Sequence, residues 1–371
     1  MLLMYSYVIL QLLTKHYQQV DLTIMSIEKQ DFYFQFEQLR AQALPFVLFR
    51  LPQAKELILY QQETTEHFES TDLNMNGFVF APFHKTAQHT YIPKQQKRII
   101  KLPLGIKPQT APLNTEEQFK NEYIELVAKA KETIRKTTLK KVVVSRTHRA
   151  TLSGTAAEAF ARLVEAYPNA MVYYWSHPHT GDWMGATPET LLSIRQNTLF
   201  TMALAGTLPY DSEAKPNWTA KEIEEHQMVV DFIGDRLTRL FSHKEITSSA
   251  TYTKQAGNLV HLCADFQVSL KDFKTIDLIR LLHPTPAVAG LPMDESMAFI
   301  QKNEQHNRSY YAGFLGPISQ KDIRLFVNLR CAKVLSKQVR LHVGGGITAH
   351  SNPNDEWEES QRKAETLLHA L

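Results

Sequence analysis

The densest chemistry in this sequence sits on two acidic segments, one past its middle and one at its end. Lys221-Glu222-Ile223-Glu224-Glu225-His226 places Glu222 and Glu225 three residues apart, on one face of a helix. Behind Ser351-Asn352-Pro353, which reads as a helix cap and start, Glu356, Glu359 and Lys363 fall at i, i+3 and i+7. Glutamates in a first helical turn ordinarily favour the dipole and face water. Two helices that each present a carboxylate pair also offer the oxygen-only donors that suit Mg²⁺, an ion that keeps much of its hydration and takes one or two carboxylates.

Four further stretches could carry chemistry. Gly344-Gly345-Gly346 follows the apolar run Gln338 to Val343. Glycines there make either a tight turn or a place where backbone approaches an anion closely. The run lacks a Gly-Lys-Ser/Thr ending, so it is no P-loop, and there is no dinucleotide fingerprint. Lys140-Lys141-Val142-Val143-Val144-Ser145-Arg146 starts a β-branched strand whose lysines either guard an edge or, if desolvated, act as a general base. Gly185-Ala186-Thr187-Pro188-Glu189 sets a carboxylate just after a proline turn, and His283-Pro284-Thr285-Pro286-Ala287 predicts a rigid loop directly after a helix.

Short apolar strands alternating with amphipathic helices must position these groups. Strands are expected at 46–50, 57–60, 77–81, 141–145, 171–175, 192–194, 200–204, 324–329 and 338–343. Helices are expected at 115–136, 155–166, 218–241, 275–282, 292–303 and 354–370. Strands between 171 and 204 follow one another without an intervening helix, which favours antiparallel pairing and an α+β fold. The proline-bearing stretch Lys101 to Thr115 reads as a linker, dividing an N-terminal portion over 1–110, which packs on the same fold, from the rest over 111–371.

Composition narrows the function classes. The chain has 371 residues, 43% of them hydrophobic, enough for a substantial core. Its 41 Lys and Arg against 38 Asp and Glu give a formal charge of +3, too even to suggest a nucleic-acid surface, while a small anionic substrate fits. Two cysteines, Cys263 and Cys331, favour a reducing, cytoplasmic compartment with free thiols. The apolar start Met1 to Leu13 is too short to span a membrane and fits a signal peptide poorly, which leaves a helix or a start misplaced from Met25.

Taken in order, the motifs resemble those of the magnesium-dependent chorismate-utilising enzymes. They are Lys-Val-Val-Val-Ser-Arg from Lys141, Gly-Ala-Thr-Pro-Glu from Gly185, Leu-Ala-Gly-Thr from Leu204 and the Lys221 to His226 helix start. His-Pro-Thr-Pro-Ala, Tyr-Ala-Gly-Phe-Leu-Gly, Leu-Arg-Cys-Ala, Gly-Gly-Gly-Ile and Glu-Trp-x-Glu-Ser-x-x-Lys follow. The resemblance covers about Gln118 to Leu371 and implies two packed, largely antiparallel sheets surrounded by helices, like anthranilate synthase component I. The His283 loop resembles the isochorismate synthase branch, whereas aminating relatives usually show a different Pro-x-Gly-Thr string. Gly206-Thr207-Leu208 departs from relatives with arginine near that threonine.

What the resemblance implies is specific. Lys141 would be the base that activates water for attack at C2 of chorismate, and Glu189 the acid that protonates the departing C4 hydroxyl. Glu225 and Glu359 would bind Mg²⁺ directly, Glu222 and Glu356 through water. Ala205, Gly206, Thr207, His261, Ala287, Tyr311, Arg330, Gly344, Gly345, Gly346 and Lys363 would contact substrate. Such a base must shed its proton and such an acid keep one near neutral pH, so the pocket should be partly desolvated around both. A salicylate synthase and an ammonia-using synthase are the alternatives within the family. Menaquinone supply, no nucleic-acid or membrane partner, and a monomer or weak homodimer complete the expectation.

Overall fold

The computed structural model describes residues 30–84, 88–101, 105–106, 119–320 and 322–371. The apolar start, Met25 and most of the Lys101 to Thr115 linker lie outside them. Two sheets dominate. The first runs Gly290–Leu291, Lys141–Thr151, Gln338–Ile347, Cys331–Leu335, Asp182–Thr187, Met171–Ser176, Phe46–Arg50, Leu57–Gln61, Gln96–Ile100. The second runs Ile246–Ser248, Leu259–Ser269, Thr198–Pro209, Thr190–Arg195, Asp322–Val327, Phe314–Ile318, Gly77–Ala81, His89–Pro93, Glu69–Ser70, with Tyr252–Ala256 also paired to Leu259–Ser269. Every pairing among the described residues is antiparallel, so the chain has the α+β architecture expected of it.

Alternation along the strands builds two cores. Val47, Phe49, Phe78, Phe80, Tyr173 and Trp175 fill the space between the sheets. Phe46, Leu48, Val172 and Tyr174 point the other way, where Phe36 of a helix over 30–41, Phe160 of the helix Ala156–Ala166 and Leu367 of the helix Pro353–Leu368 cover them. That is why Phe46–Arg50 is buried on both faces and reads as an unbroken apolar run. Strands from before residue 110 complete both sheets: Phe46–Arg50 pairs with Met171–Ser176, and Gly77–Ala81 with Phe314–Ile318.

Three local expectations change. Gly344 to Gly346 form no turn but continue the strand Gln338–Ile347, in register with Ser145, Val144 and Val143. The strand expected at 324–329 ends at Val327, where Leu329 N folds back to donate to Val327 O at 2.9 Å ahead of the turn at Arg330, φ 47°. Leu259–Ser269, the eleven-residue strand that carries His261, was not anticipated.

Candidate active site

The helix Ala220–Leu237 begins in a capping box: Thr219 N donates to Glu222 Oε2 at 3.0 Å, and Lys221 N donates back to Thr219 Oγ1 at 3.3 Å. One carboxylate oxygen of Glu222, Oε2, is thereby taken by the cap, while Glu225 reaches the interior one turn later. The helix Pro353–Leu368 is capped by Asn352, whose side chain accepts from Asn354 N and Asp355 N, with Pro353 in the first turn. Gly206 is a bulge between Ala205 and Thr207 with φ 70°, and a Cβ there would lie 3.1 Å from Glu222 Cβ, so the first helix sits directly on this loop.

These elements enclose a cavity of about 680 Å³, its open mouth included. Glu189, Ala205, Gly206, Thr207, Glu225 and His261 line it, as do Ala287, Tyr311, Arg330, Gly344, Gly346 and Lys363. The other five residues singled out from the sequence stand behind this wall. Lys141 is fully buried, with Nζ 3.0 Å from Glu225 Oε1. Glu359 pairs with Lys363 at 2.6 Å, and Lys363 Nζ also donates to Gly344 O at 3.1 Å. Glu356, 1% exposed, lies 2.7 Å from Lys221 Nζ. Gly345 faces away, where a Cβ would lie 3.1 Å from Glu356 Oε2. Glu222 stays at its cap.

The glycine run has a steric reason. A Cβ on Gly346 would overlap Glu225 Oε1 and lie 2.9 Å from Lys141 Cε, and one on Gly344 would lie 2.8 Å from Tyr311 Oη. Side chains from two helices, the neighbouring strand and a loop therefore close onto a strand that only glycine can leave bare.

Charge in the cavity is unbalanced toward the positive. Arg330 is 7% exposed, and no acidic side chain pairs with it among the described residues. Its Nη1 donates to Thr366 Oγ1 at 2.7 Å and its Nη2 lies 3.1 Å from His261 Nε2. A guanidinium only donates, so His261 Nε2 accepts and Nδ1 carries the proton, donating to Gly206 O at 3.0 Å. Burial, then the charges of Arg330 and Lys363, hold His261 far below the usual imidazole range, so the ring is neutral. Burial likewise pushes the Glu189 carboxyl up to about 8, against the pull of Lys141 and Lys254. It therefore keeps its proton at neutral pH.

Burial pushes Glu356 up to about 7, with repulsion from Glu359 adding to it and Lys221 opposing. Glu359 moves the other way, because Lys363 and Lys221 outweigh its burial. Neither Glu356 oxygen makes an aligned hydrogen bond, although Lys221 stands close. Glu225, Glu356 and Glu359 thus each face a lysine, and their oxygens are of the donor type that an oxygen-seeking cation takes. Among the described residues no group of three or more His, Cys, Asp and Glu side chains is placed to hold a metal ion; Mg²⁺ takes only one or two carboxylates beside its waters.

Several contributors escaped the sequence reading. His342 lines the cavity, stacks on Tyr311 with ring centroids 5.4 Å apart, and is pushed down to about 3, chiefly by burial. Stepping back two residues along the strand from Gly344 reaches it. A step of two residues forward from Lys141 reaches Val143, another lining residue. Lys221 was quoted within its motif, but its pairing with Glu356 depends on how two distant helices meet.

A deep cavity that presents an unpaired guanidinium, a proton-bearing carboxyl and a buried amine behind a glycine strand marks an enzyme site for a small carboxylate-bearing molecule. Residues 33–371 match the family model described as chorismate binding enzyme, and the chain belongs to that family. It is 32% identical to isochorismate synthase MenF of Escherichia coli over 297 residues, 76% of this chain and 68% of that protein. Against several other curated relatives, the match spans about half the relative's length. The structure of DhbC from Bacillus anthracis, an isochorismate synthase by name, superposes with TM-score 0.76 at 25% identity, covering 88% of this chain and 96% of that one. Anthranilate synthase component I from Streptococcus pneumoniae shares the fold, with TM-score 0.64 at 17% identity over 87% of this chain and 89% of that one. Of the described residues, no helix is long and apolar enough to cross a membrane, and Cys263 and Cys331 are both free and buried.

Proposed function

We propose that this protein is an isochorismate synthase, converting chorismate to isochorismate with the help of Mg²⁺. One observation carries the reading: a carboxyl that holds its proton to about pH 8 shares a cavity with an unpaired, buried arginine and with the Glu225–Lys141 pair. Chorismate brings two carboxylates. Arg330 binds one of them through its free donors, held in plane by Thr366 and by neutral His261. Lys363 adds positive charge beside Gly344.

In the reaction Lys141 Nζ accepts a proton from water as the water oxygen bonds to C2. The ring double bonds shift, the C4–O bond breaks, and the Glu189 proton passes to the departing oxygen, which leaves as water. One water enters and one leaves, so the conversion is an isomerisation. Glu225 and Glu359, with Glu222 and Glu356 acting through water, would hold Mg²⁺, which when bound would offset the charge of the C1 carboxylate. Glu225 then has a partner other than Lys141.

The relatives named isochorismate synthase and the His283–Ala287 loop support this branch over the aminating one. MenF of Escherichia coli is described as menaquinone-specific, which supports menaquinone synthesis as the destination. Product analysis after incubation with chorismate and Mg²⁺, with and without ammonia, tests the activity. Isochorismate formed equally in both is expected. Salicylate with pyruvate, or an amino product only with ammonia, would overturn it. Restored menaquinone in an Escherichia coli strain lacking MenF would support the pathway, and failure by an active enzyme would count against it.

A further inference from the structure

One buried ion pair has no part in the chemistry above. Glu304 and Arg308 have side chains 2% and 1% exposed and stand one helical turn apart in spacing. Arg308 Nε donates to Glu304 Oε2 at 2.9 Å and Nη2 to Oε1 at 2.6 Å. The same guanidinium donates to two backbone carbonyls, from Nη1 to Val288 O at 2.8 Å and from Nη2 to Val143 O at 2.6 Å. Glu304 Oε1 also accepts from Ser145 N at 2.7 Å and Ser145 Oγ at 2.9 Å. The pair therefore grips the Lys141–Thr151 strand at two points and the His283 loop at one.

The topology explains why a side chain is needed there. Gly290–Leu291 pairs with Val142 and Lys141, and Val143 N donates to Ala289 O at 2.9 Å. Just before this, Val288 N and Ala289 N both donate to Thr285 O, so the chain leaves the sheet. The Arg308 fork bonds Val143 O and Val288 O where backbone pairing stops. Both valines line the substrate cavity, and Lys141 lies two residues before Val143 on the same strand face. A buried ion pair adds little net stability over apolar packing. Its distinct yield here is a fixed separation between two cavity walls.

We propose that Arg308, braced by Glu304, is a positioning residue: it holds the strand of Lys141 and the Ala287–Val288 wall at the spacing the reacting ring requires. This rests on the chorismate reading above. Arg308→Lys keeps a cation against Glu304 but loses the fork. The double variant Arg308→Met with Glu304→Met removes both charges together, so neither is left buried alone. Melting temperature, KM for chorismate and kcat are measured for the wild type and both variants.

The expected result is folded protein, KM within about threefold of wild type, and kcat lower by about 100-fold, as a misplacement near 1 Å produces. Unchanged kcat in a folded variant overturns the proposal, as does a loss of activity that merely tracks the fraction unfolded. If only the double variant folds, its kcat decides. If the wild type consumes chorismate to a product other than isochorismate, only the activity reading fails, and kcat for that product judges Arg308. A wild type that consumes no chorismate overturns both.

Discussion

Replacing Glu189 by Gln separates the electrostatics of the site from its chemistry. In the native chain this carboxyl keeps its proton up to about pH 8, against an ordinary value of 4.5, because burial outweighs the pull of Lys141 and Lys254. Below pH 4.5 both native and unfolded states are protonated, and the stability associated with the group is fully present. Between 4.5 and about 8 the native state holds a proton that the unfolded state has lost, so stability falls as pH rises through this window. At about 1.4 kcal/mol per pH unit, the loss attributable to Glu189 reaches at most about 5 kcal/mol by pH 8. That is a large share of the roughly 5–15 kcal/mol that holds an ordinary domain together. Glutamine has the same shape and does not titrate. Urea unfolding of wild type and Glu189→Gln at about pH 5 and about pH 8.5 should show the variant gaining several kcal/mol on the wild type at the higher pH. Turnover in the variant should be abolished at both. Parallel stability curves, with no growing gap, would refute the claim that the buried carboxyl stays protonated.

Lys141→Ala should lower kcat by about 10²- to 10⁴-fold while the protein stays folded, and retention of most activity would remove Lys141 from the mechanism. Arg330→Lys keeps the charge but not the fork. It should weaken chorismate binding by about 1.5–3 kcal/mol, read by titration, with a neutral effect counting against a substrate carboxylate at this position. Gly346→Ala puts a methyl into Glu225 and 2.9 Å from Lys141 Cε. It should cost about 1–3 kcal/mol of stability and most of the activity, whereas a silent substitution would show that the carboxylate and amine need not close on the strand.

The strands at Phe46–Arg50 and Gly77–Ala81 and the helix Thr275–Leu282 were legible because apolar runs or a short amphipathic period end at clear breakers. Leu259–Ser269 was not, since it is buried in a mixed polar sequence whose partners supply its context. Glu222 as a cap was readable in Thr219-x-x-Glu222 and was passed over in favour of its carboxylate chemistry. The Glu359–Lys363 pair was readable from its i, i+4 spacing on one helix, whereas Lys141–Glu225 and Lys221–Glu356 were not, because they depend on how a strand and two helices far apart in the chain meet. Gly344 to Gly346 were recognised as a close-approach site, but what approaches is carboxylates and a tyrosine, and the strand continues beneath them. Arg308 gave no signal, because nothing in its neighbourhood says that its fork will replace a missing strand.

The central claim is that water adds at C2 while the C4 hydroxyl departs within this cavity. Turnover of chorismate with Mg²⁺ in oxygen-18-enriched water, followed by mass and NMR analysis of the product, tests it directly. The account predicts isochorismate with one solvent oxygen at C2, formed without ammonia and lost in Lys141→Ala and Glu189→Gln. Product without solvent oxygen, or labelled product still formed at the wild-type rate by either variant, would contradict it.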